Sequence, residues 1–209
     1  MTRYTMDKQD WNHNNHYHNW ILYQLPARIE CAIDVGCGEG EFSRRLASVA
    51  RHVDAIDYDA DILKEARKKN LKCSNIKYLE GGFLETRLAP EEYDSVVSIA
   101  SLHHMVLPAA LEKMKWILKP GGTLVILGLY RDSTFVDFFW SGISKVSDVI
   151  IKIVFNRKTH KPVEHAMKIV NPADTIREIK LAASDILPNM KMRRHLFWRY
   201  SITWTKQNG

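Results

Sequence analysis

The sequence predicts an α/β protein built on one doubly wound sheet with helices on both faces. Three observations carry this. From about Cys31 to Tyr130, apolar strand-like runs alternate with stretches of helical periodicity. The intervening stretches are about ten residues long, the spacing of parallel βαβ units, whose right-handed crossovers place helices on both faces. Every loop with unusual chemistry falls at the carboxyl end of a predicted strand, where such sheets bind ligands.

The elements follow in order. Ile29 to Val35 reads as a buried strand running into an acidic residue and a glycine loop. Phe42, Leu46 and Val49 recur at helical spacing after it. Val53 to Ile56 is a short strand ending at Asp57. Asp61 through Lys69 is helical, with Ile62, Leu63 and Ala66 on one face and basic residues at the end favoured by the helix dipole. Ile76 to Leu79 and Tyr93 to Ala100 are the next strands. Leu111, Met114 and Leu118 mark a helix that Pro120, Gly121 and Gly122 stop, and Thr123 to Leu129 is a fifth strand. Phe135 to Phe155 reads as one or two aromatic, β-branched helices, followed by a basic connector (Arg157, Lys158, His160, Lys161). Pro172 to Ala183 is a helix with Ile176, Ile179 and Leu181. Met190 to Lys206 alternates as two antiparallel edge strands turning near Trp198 and Arg199.

Composition narrows the class. At 209 residues and 24.2 kDa the chain fits a single domain. With 45% hydrophobic and 26% charged residues it is globular, not disordered. Cys31, Cys37 and Cys73 form neither a disulfide framework nor a CxxC zinc site. The start, MTRYTMDKQD, lacks the apolar stretch of a secretory signal, and charges interrupt Phe135 to Phe155, a poor membrane span. The expectation is a cytoplasmic protein. The net charge is +6, but residues 1–130 carry −1 and residues 131–209 carry +7.

The sharpest motif is Asp34-Val35-Gly36-Cys37-Gly38-Glu39-Gly40, after a strand and opening a helix. Glycines let backbone approach a ligand, and a helix N-terminus presents free N–H groups to a carboxylate. Asp34 would repel a pyrophosphate but would accept hydrogen bonds around an ammonium group. Asp57, 23 positions later, suits a ribose diol, and Tyr58 could pack on a base. Amine, ribose and base together describe S-adenosylmethionine.

These residues resemble the class I S-adenosylmethionine-dependent methyltransferases, in particular the small-molecule, type 11-like group. The matching stretches are CAIDVGCGEG at 31–40, VDAIDYDADILKEAR at 53–67, YDSVVSIASLHHM at 93–105 and LKPGGTLVILG at 118–128. The resemblance implies a Rossmann-like seven-stranded sheet with an antiparallel last strand, and S-adenosylmethionine as cofactor, leaving S-adenosylhomocysteine. It implies a single domain, 1–209, with a lid segment (1–28), a cofactor core (29–130), a substrate-covering insertion (131–170) and a C-terminal helix and edge strands (171–209).

Carried over residue by residue, Gly36, Cys37, Gly38 and Gly40 would shape the loop around the methionyl part. Asp34 would hold the amine, Asp57 the ribose hydroxyls, Tyr58 the base, and the Ala100 carbonyl would lie near the amine. Many relatives have Gly-Asp after the third strand, where the Asp accepts from the adenine amine; this chain has Gly81-Gly82. Adenine recognition would then fall to backbone at Gly82 and Phe83, with weaker adenine selectivity.

Two clusters flank this site as acceptor candidates. The segment Trp11 to Trp20 is dense in His, Asn and aromatic residues, and its Tyr17 and His16 would help close the pocket. Its His13, His16 and His18 have no carboxylate with them, so no metal site is expected. His103 and His104 follow the fourth strand as catalytic candidates: His104 matches a histidine common in the resembling family and could transfer a proton or order the loop, and His103 could instead cap the turn before Pro108. Phe135, Phe138, Phe139 and Trp140 could line an apolar pocket, pack on the sheet or touch a membrane interface. Motifs of base amino- and pyrimidine C5-methyltransferases are absent. The expected partner is therefore a small-molecule acceptor, acidic or amphipathic, reached through oxygen or nitrogen, with nucleic acid disfavoured. RNA or protein methylation and a non-catalytic cofactor sensor stay as alternatives.

Overall fold

The computed structural model describes residues 15–131, 174–196 and 198–208. A helix, α1 (Asn15–Gln24), leads into β1 (Ile29–Val35), α2 (Glu41–Leu46), β2 (Ala50–Asp57), α3 (Ala60–Lys69), β3 (Ile76–Glu80) and β4 (Tyr93–Ile99). A 3-10 turn (Leu102–His104), α4 (Leu107–Ile117), β5 (Leu118–Leu129), α5 (Ile176–Ile186), β6 (Lys191–His195) and β7 (Arg199–Thr205) follow. The Phe135–Phe155 and Trp11–Asn14 stretches, and the insertion beyond Arg131, lie outside the described residues.

The seven strands form one Rossmann-like sheet in the order β3-β2-β1-β4-β5-β7-β6. The pairs among β1 to β5 are parallel, and β7 runs antiparallel to both β5 and β6. Strand order reverses between β1 and β4, which opens the ligand crevice at their carboxyl ends. β7 is therefore an interior strand, not an edge; Tyr200 and Ile202 are buried on it, and β6 alone forms that edge.

The central strands are apolar on both faces because both are covered. On one face Ile33, Val35, Val96, Leu124 and Ile126 pack with Leu111, Met114, Ile117, Ile179 and Ala183 from α4 and α5. On the other, Ala32, Val53, Val97, Val125 and Leu127 pack with Tyr17, Ile21, Phe42 and Leu46 from α1 and α2. β5 shows the rule residue by residue, since alternate side chains point to opposite faces.

Several boundaries move from the sequence reading for local reasons. α2 stops at Leu46, so Val49 is exposed and not part of its buried stripe. α4 ends at Ile117. Leu118 already pairs with Tyr93, and Pro120-Gly121-Gly122 lies within an irregular start of β5, where Gly121 has φ +76 and its N–H donates to Lys206 O. α5 buries Ile179, Ala183 and Ile186 while Leu181 faces solvent. It begins with a reciprocal cap between Thr175 and Glu178.

Candidate active site

The β1–α2 loop, the ends of β2 and β3 and the turn after β4 meet at the carboxyl edge. A Cβ added to Gly36 (φ +73) would collide with the Ser101 side chain, so only glycine lets the β1 and β4 loops touch. Ser101 secures the contact by donating from its hydroxyl to Val35 O at 2.7 Å. Ala100, just before it, takes φ +52, a strained turn out of β4.

The loop spends its amides on the protein itself. Gly36 and Cys37 N–H both donate to Ile56 O, Gly40 N–H to Cys37 O, and Gly38 N–H to Asp57 Oδ2 at 2.9 Å. The helix that follows has only six residues and carries Glu41 in its first turn, hydrogen-bonded to Asn15. No cradle of free N–H groups of the phosphate-binding kind remains among these four residues. A Cβ on Gly38, in contrast, would meet nothing within 4 Å, so the loop borders open space there.

Two carboxylates face this loop in different surroundings. Asp34 is buried and accepts from Ser43 Oγ at 2.6 Å. Burial, with a smaller push from Asp57, raises its pKa to about 7. Asp57 is half-buried, with Oδ2 taken by Gly38 N–H and Oδ1 by Asp59 N–H at 3.1 Å. Each oxygen keeps lone-pair capacity for a further donor. Asp59, not Asp57, caps α3, accepting from Asp61 N–H and Ile62 N–H. Cys37 has its thiol pushed well up by burial and by Asp34, which keeps it a thiol and not a nucleophile.

On the β3 side, Gly81 N–H donates to Asp57 O, which joins the two strand ends. Tyr58 is exposed beside them. The Phe83 ring turns into the core with Lys113 Nζ 5.2 Å from its centroid, leaving only its backbone at the loop. Sequence reasoning missed three side chains here: Ser43, Ser101 and Glu85. Each acts through a fold contact whose partner lies elsewhere in the chain or is a glycine, so no motif spacing marks it.

The histidine and aromatic candidates gather at the same end, around β7. The Tyr17 hydroxyl donates to Leu196 O in the β6–β7 turn at 3.1 Å, and burial pushes its pKa up to about 12. Its ring meets His16 edge-on and lies 5.2 Å from that of His195. His16 is exposed, whereas His18 is buried against Phe42 with its pKa lowered to about 3 by burial. His103 and His104 stack at 4.0 Å. Among the described residues the His103 Nδ1 is buried without a hydrogen-bond partner, and burial, His104 and Arg199 lower its pKa to about 4. His103 is thus neutral near pH 7. Buried Arg199, which sequence reasoning also left unassigned, bears electrostatically on both Tyr17 and His103.

Arg131 N–H donates to Asp174 O at 3.0 Å, so the chain leaves β5 and re-enters before α5 at one place. A small cleft beside it is lined by His103, Leu129, Asp174 and Tyr200. Among the described residues no group of three His, Cys, Asp or Glu is placed to hold a metal ion. No helix among them is long and apolar enough to cross a membrane.

The family described as "Methyltransferase domain" matches residues 33–126. An uncharacterized methyltransferase of Mycobacterium tuberculosis (strain ATCC 25618 / H37Rv) is 31% identical over 198 residues, covering 94% of this chain and 97% of that protein. A ubiquinone biosynthesis O-methyltransferase of Xylella fastidiosa (strain 9a5c) is 32% identical over 116 residues, 54% of this chain and 47% of that one. Among solved structures, the N-methyltransferase NodS of Bradyrhizobium japonicum WM9 in complex with S-adenosylhomocysteine superposes with a TM-score of 0.65 at 15% identity, over 93% of this chain and 87% of that one. The PH0226 protein of Pyrococcus horikoshii OT3 gives 0.67 at 15%, over 92% and 89%. Likeness at that identity speaks to the fold.

Proposed function

The chain belongs to the class I S-adenosylmethionine-dependent methyltransferases, and from that premise we propose that its acceptor is a small molecule methylated on oxygen or nitrogen. The residues fit the cofactor. A loop with its amides already engaged suits a ligand without phosphates, and the open space over Gly38 leaves the loop backbone accessible to one. When bound, S-adenosylmethionine supplies an electrophilic methyl carbon whose leaving group becomes neutral. Asp57 would accept from the ribose hydroxyls, and Asp34, ionised against a nearby ammonium, would fix the amine end through or beside Ser43. Gly36, Cys37, Gly38 and Gly40 would shape that pocket. Ala100 and the Gly82–Phe83 backbone would bound it, with Tyr58 at the rim.

The observation that carries the acceptor reading is the convergence of Tyr17, Arg199 and His103 at the carboxyl edge. Three separate segments are needed to make it, and a small cleft lined by His103, Leu129, Asp174 and Tyr200 opens beside His103. Transfer needs the acceptor atom in line at ~3–3.5 Å, and alignment supplies much of the rate. His103, neutral near pH 7, could take a proton from an acceptor hydroxyl or ammonium, with His104 stacked behind it. Tyr17 and His16 would position the acceptor. Arg199 and the basic surplus after residue 130 favour an acidic or amphipathic molecule. One structural neighbour is an N-methyltransferase and one relative an O-methyltransferase, which is compatible with either atom.

Methyl-labelled S-adenosylmethionine incubated with the protein and a fractionated cell extract tests this. Label is expected in the small-molecule fraction. Label in RNA or protein overturns the acceptor assignment. Cofactor binding with no labelled product in any fraction overturns catalysis in favour of a sensor.

A further inference from the structure

Gly82 has no side chain, but the space beside it is filled. A Cβ built on Gly82 would overlap Oε2 of Glu85. The turn that brings Glu85 there is closed by three donors on one carbonyl: Glu85 N–H, Thr86 N–H and Thr86 Oγ1 all reach Gly82 O, at 3.2, 3.0 and 2.8 Å. That carbonyl is therefore spent on the turn, since a carbonyl oxygen has two lone pairs. The backbone acceptor expected at Gly82 is not available to a ligand.

The Glu85 carboxylate is uncommitted. Among the described residues none donates a hydrogen bond to it. Lys113, which attracts it, gives its own protons to Leu84 O and Thr86 O, at 2.9 and 2.6 Å. Glu85 is exposed, and it lies at the end of β3, next to the Gly81 N–H to Asp57 O link. A nucleoside whose ribose sits on Asp57 would extend its base toward this loop. Adenine presents an amine donor there, with a ring nitrogen acceptor beside it. A carboxylate matches the first, and the neighbouring Phe83 amide can serve the second.

We propose that Glu85 is the adenine-reading side chain of this chain, folded back over Gly82 to supply a carboxylate that position 82 cannot. The proposal rests on the cofactor assignment and replaces the expectation of weak adenine selectivity. Because Glu85 arrives from three residues downstream, the reading group is carried by a turn and not by the strand end.

Isothermal titration with S-adenosylhomocysteine and with S-inosylhomocysteine tests it. Inosine puts a carbonyl where adenine has its amine, and a carboxylate repels it. The wild-type protein is expected to prefer the adenine form by about 10- to 100-fold, the worth of one charge-assisted hydrogen bond gained or lost. Glu85→Gln should collapse that preference, because a carboxamide can donate to the inosine carbonyl. Glu85→Ala should weaken S-adenosylhomocysteine binding by about tenfold or more. Gly82→Asp added to Glu85→Ala should restore it, since the space is then free for the new side chain. Wild-type affinity and wild-type preference in both Glu85 variants would overturn the proposal. Failure of the wild-type protein to bind S-adenosylhomocysteine would overturn the cofactor assignment, and the proposal with it.

Discussion

The proposed cofactor half and the proposed acceptor end occupy the same edge of the sheet but are put together differently. The cofactor half is a set of short loops, each joined directly to the strand that positions it: 36–40 after β1, 57–59 after β2, 81–85 after β3 and 100–101 after β4. The acceptor end draws on α1, the 3-10 turn, the β6–β7 turn and Arg131. Residues from opposite ends of the chain meet there, Tyr17 against Leu196 among them. Residues 1–130 carry a net charge of −1 and residues 131–209 carry +7. A site of contiguous loops fixes one ligand through backbone geometry. A site assembled from distant segments can change its ligand by changing any one of them.

The largest effect expected from this contrast is on Asp57. Asp57→Ala removes the carboxylate proposed to accept from the ribose and the partner of the Gly38 amide. S-adenosylhomocysteine affinity should fall by about 100-fold or more, equivalent to two charged hydrogen bonds at ~1.5 kcal/mol each. Titration calorimetry reads this directly, and a change below about threefold would remove the ribose from Asp57.

The two regions should also answer pH in opposite directions. Asp34 has its pKa raised from 3.8 to about 7 by burial, so the folded state holds a proton that the unfolded chain has released. Its contribution to stability is present at low pH and is lost as pH rises toward about 7. His18 and His103 have pKa values lowered from 6.5 to about 3 and about 4, and that of His195 is lowered as well. Their contribution is present above pH 6.5 and is lost as pH falls below it. Between pH 4 and 6.5 the histidines outnumber Asp34, so stability should rise with pH; the unfolded histidines lose their last protons over the same range in which folded Asp34 loses its own, near pH 7, so the two effects cancel there and the rise should level off. Each titrating group contributes ~1.4 kcal/mol per pH unit at most. Thermal melts across pH 4.5 to 8.5 should rise on the acid flank and level off near pH 7, and Asp34→Asn should steepen that flank. An unchanged flank in that variant would place the carboxylate in contact with water.

Tyr17→Phe is the smallest change. It strips one hydrogen bond and leaves Leu196 O wanting a donor, at ~1–2 kcal/mol in chemical denaturation. Cofactor affinity should stay within about twofold, because the loops of the cofactor half do not use it. Equal loss of cofactor affinity would mean that the two regions are one cooperative site.

Legibility in the sequence followed the same division. Asp34, Gly36, Gly38 and Asp57 could be picked out because a strand end, a glycine spacing and a second strand end are all local signals. The spacing also marked β1, β3 and β4 closely, but it gave β2 only its second half. It misjudged Leu118, because Pro120-Gly121-Gly122 looks like a helix stop and a restart, while the backbone absorbs it as an irregular strand start paired to Lys206. It counted Val49 and Leu181 among the apolar residues of their helices, although α2 is too short to reach Val49 and α5 turns Leu181 to solvent. Tyr17 was named for its neighbours in sequence; its hydroxyl is committed to a carbonyl 179 positions away.

By itself, then, the sequence determined the alternation of strands and helices, the glycine loop and the identity of the two carboxylates. Those depend on interactions within a few residues, which hydrophobic period and residue chemistry encode directly. Only the tertiary structure decided that β7 lies inside the sheet, that Asp34 is buried enough to hold its proton near neutrality, and that Arg199 acts electrostatically on both Tyr17 and His103. It alone decided that Glu85 fills the space Gly82 leaves open. Burial, electrostatic proximity and shared volume depend on what the rest of the chain brings alongside, and no local spacing records that.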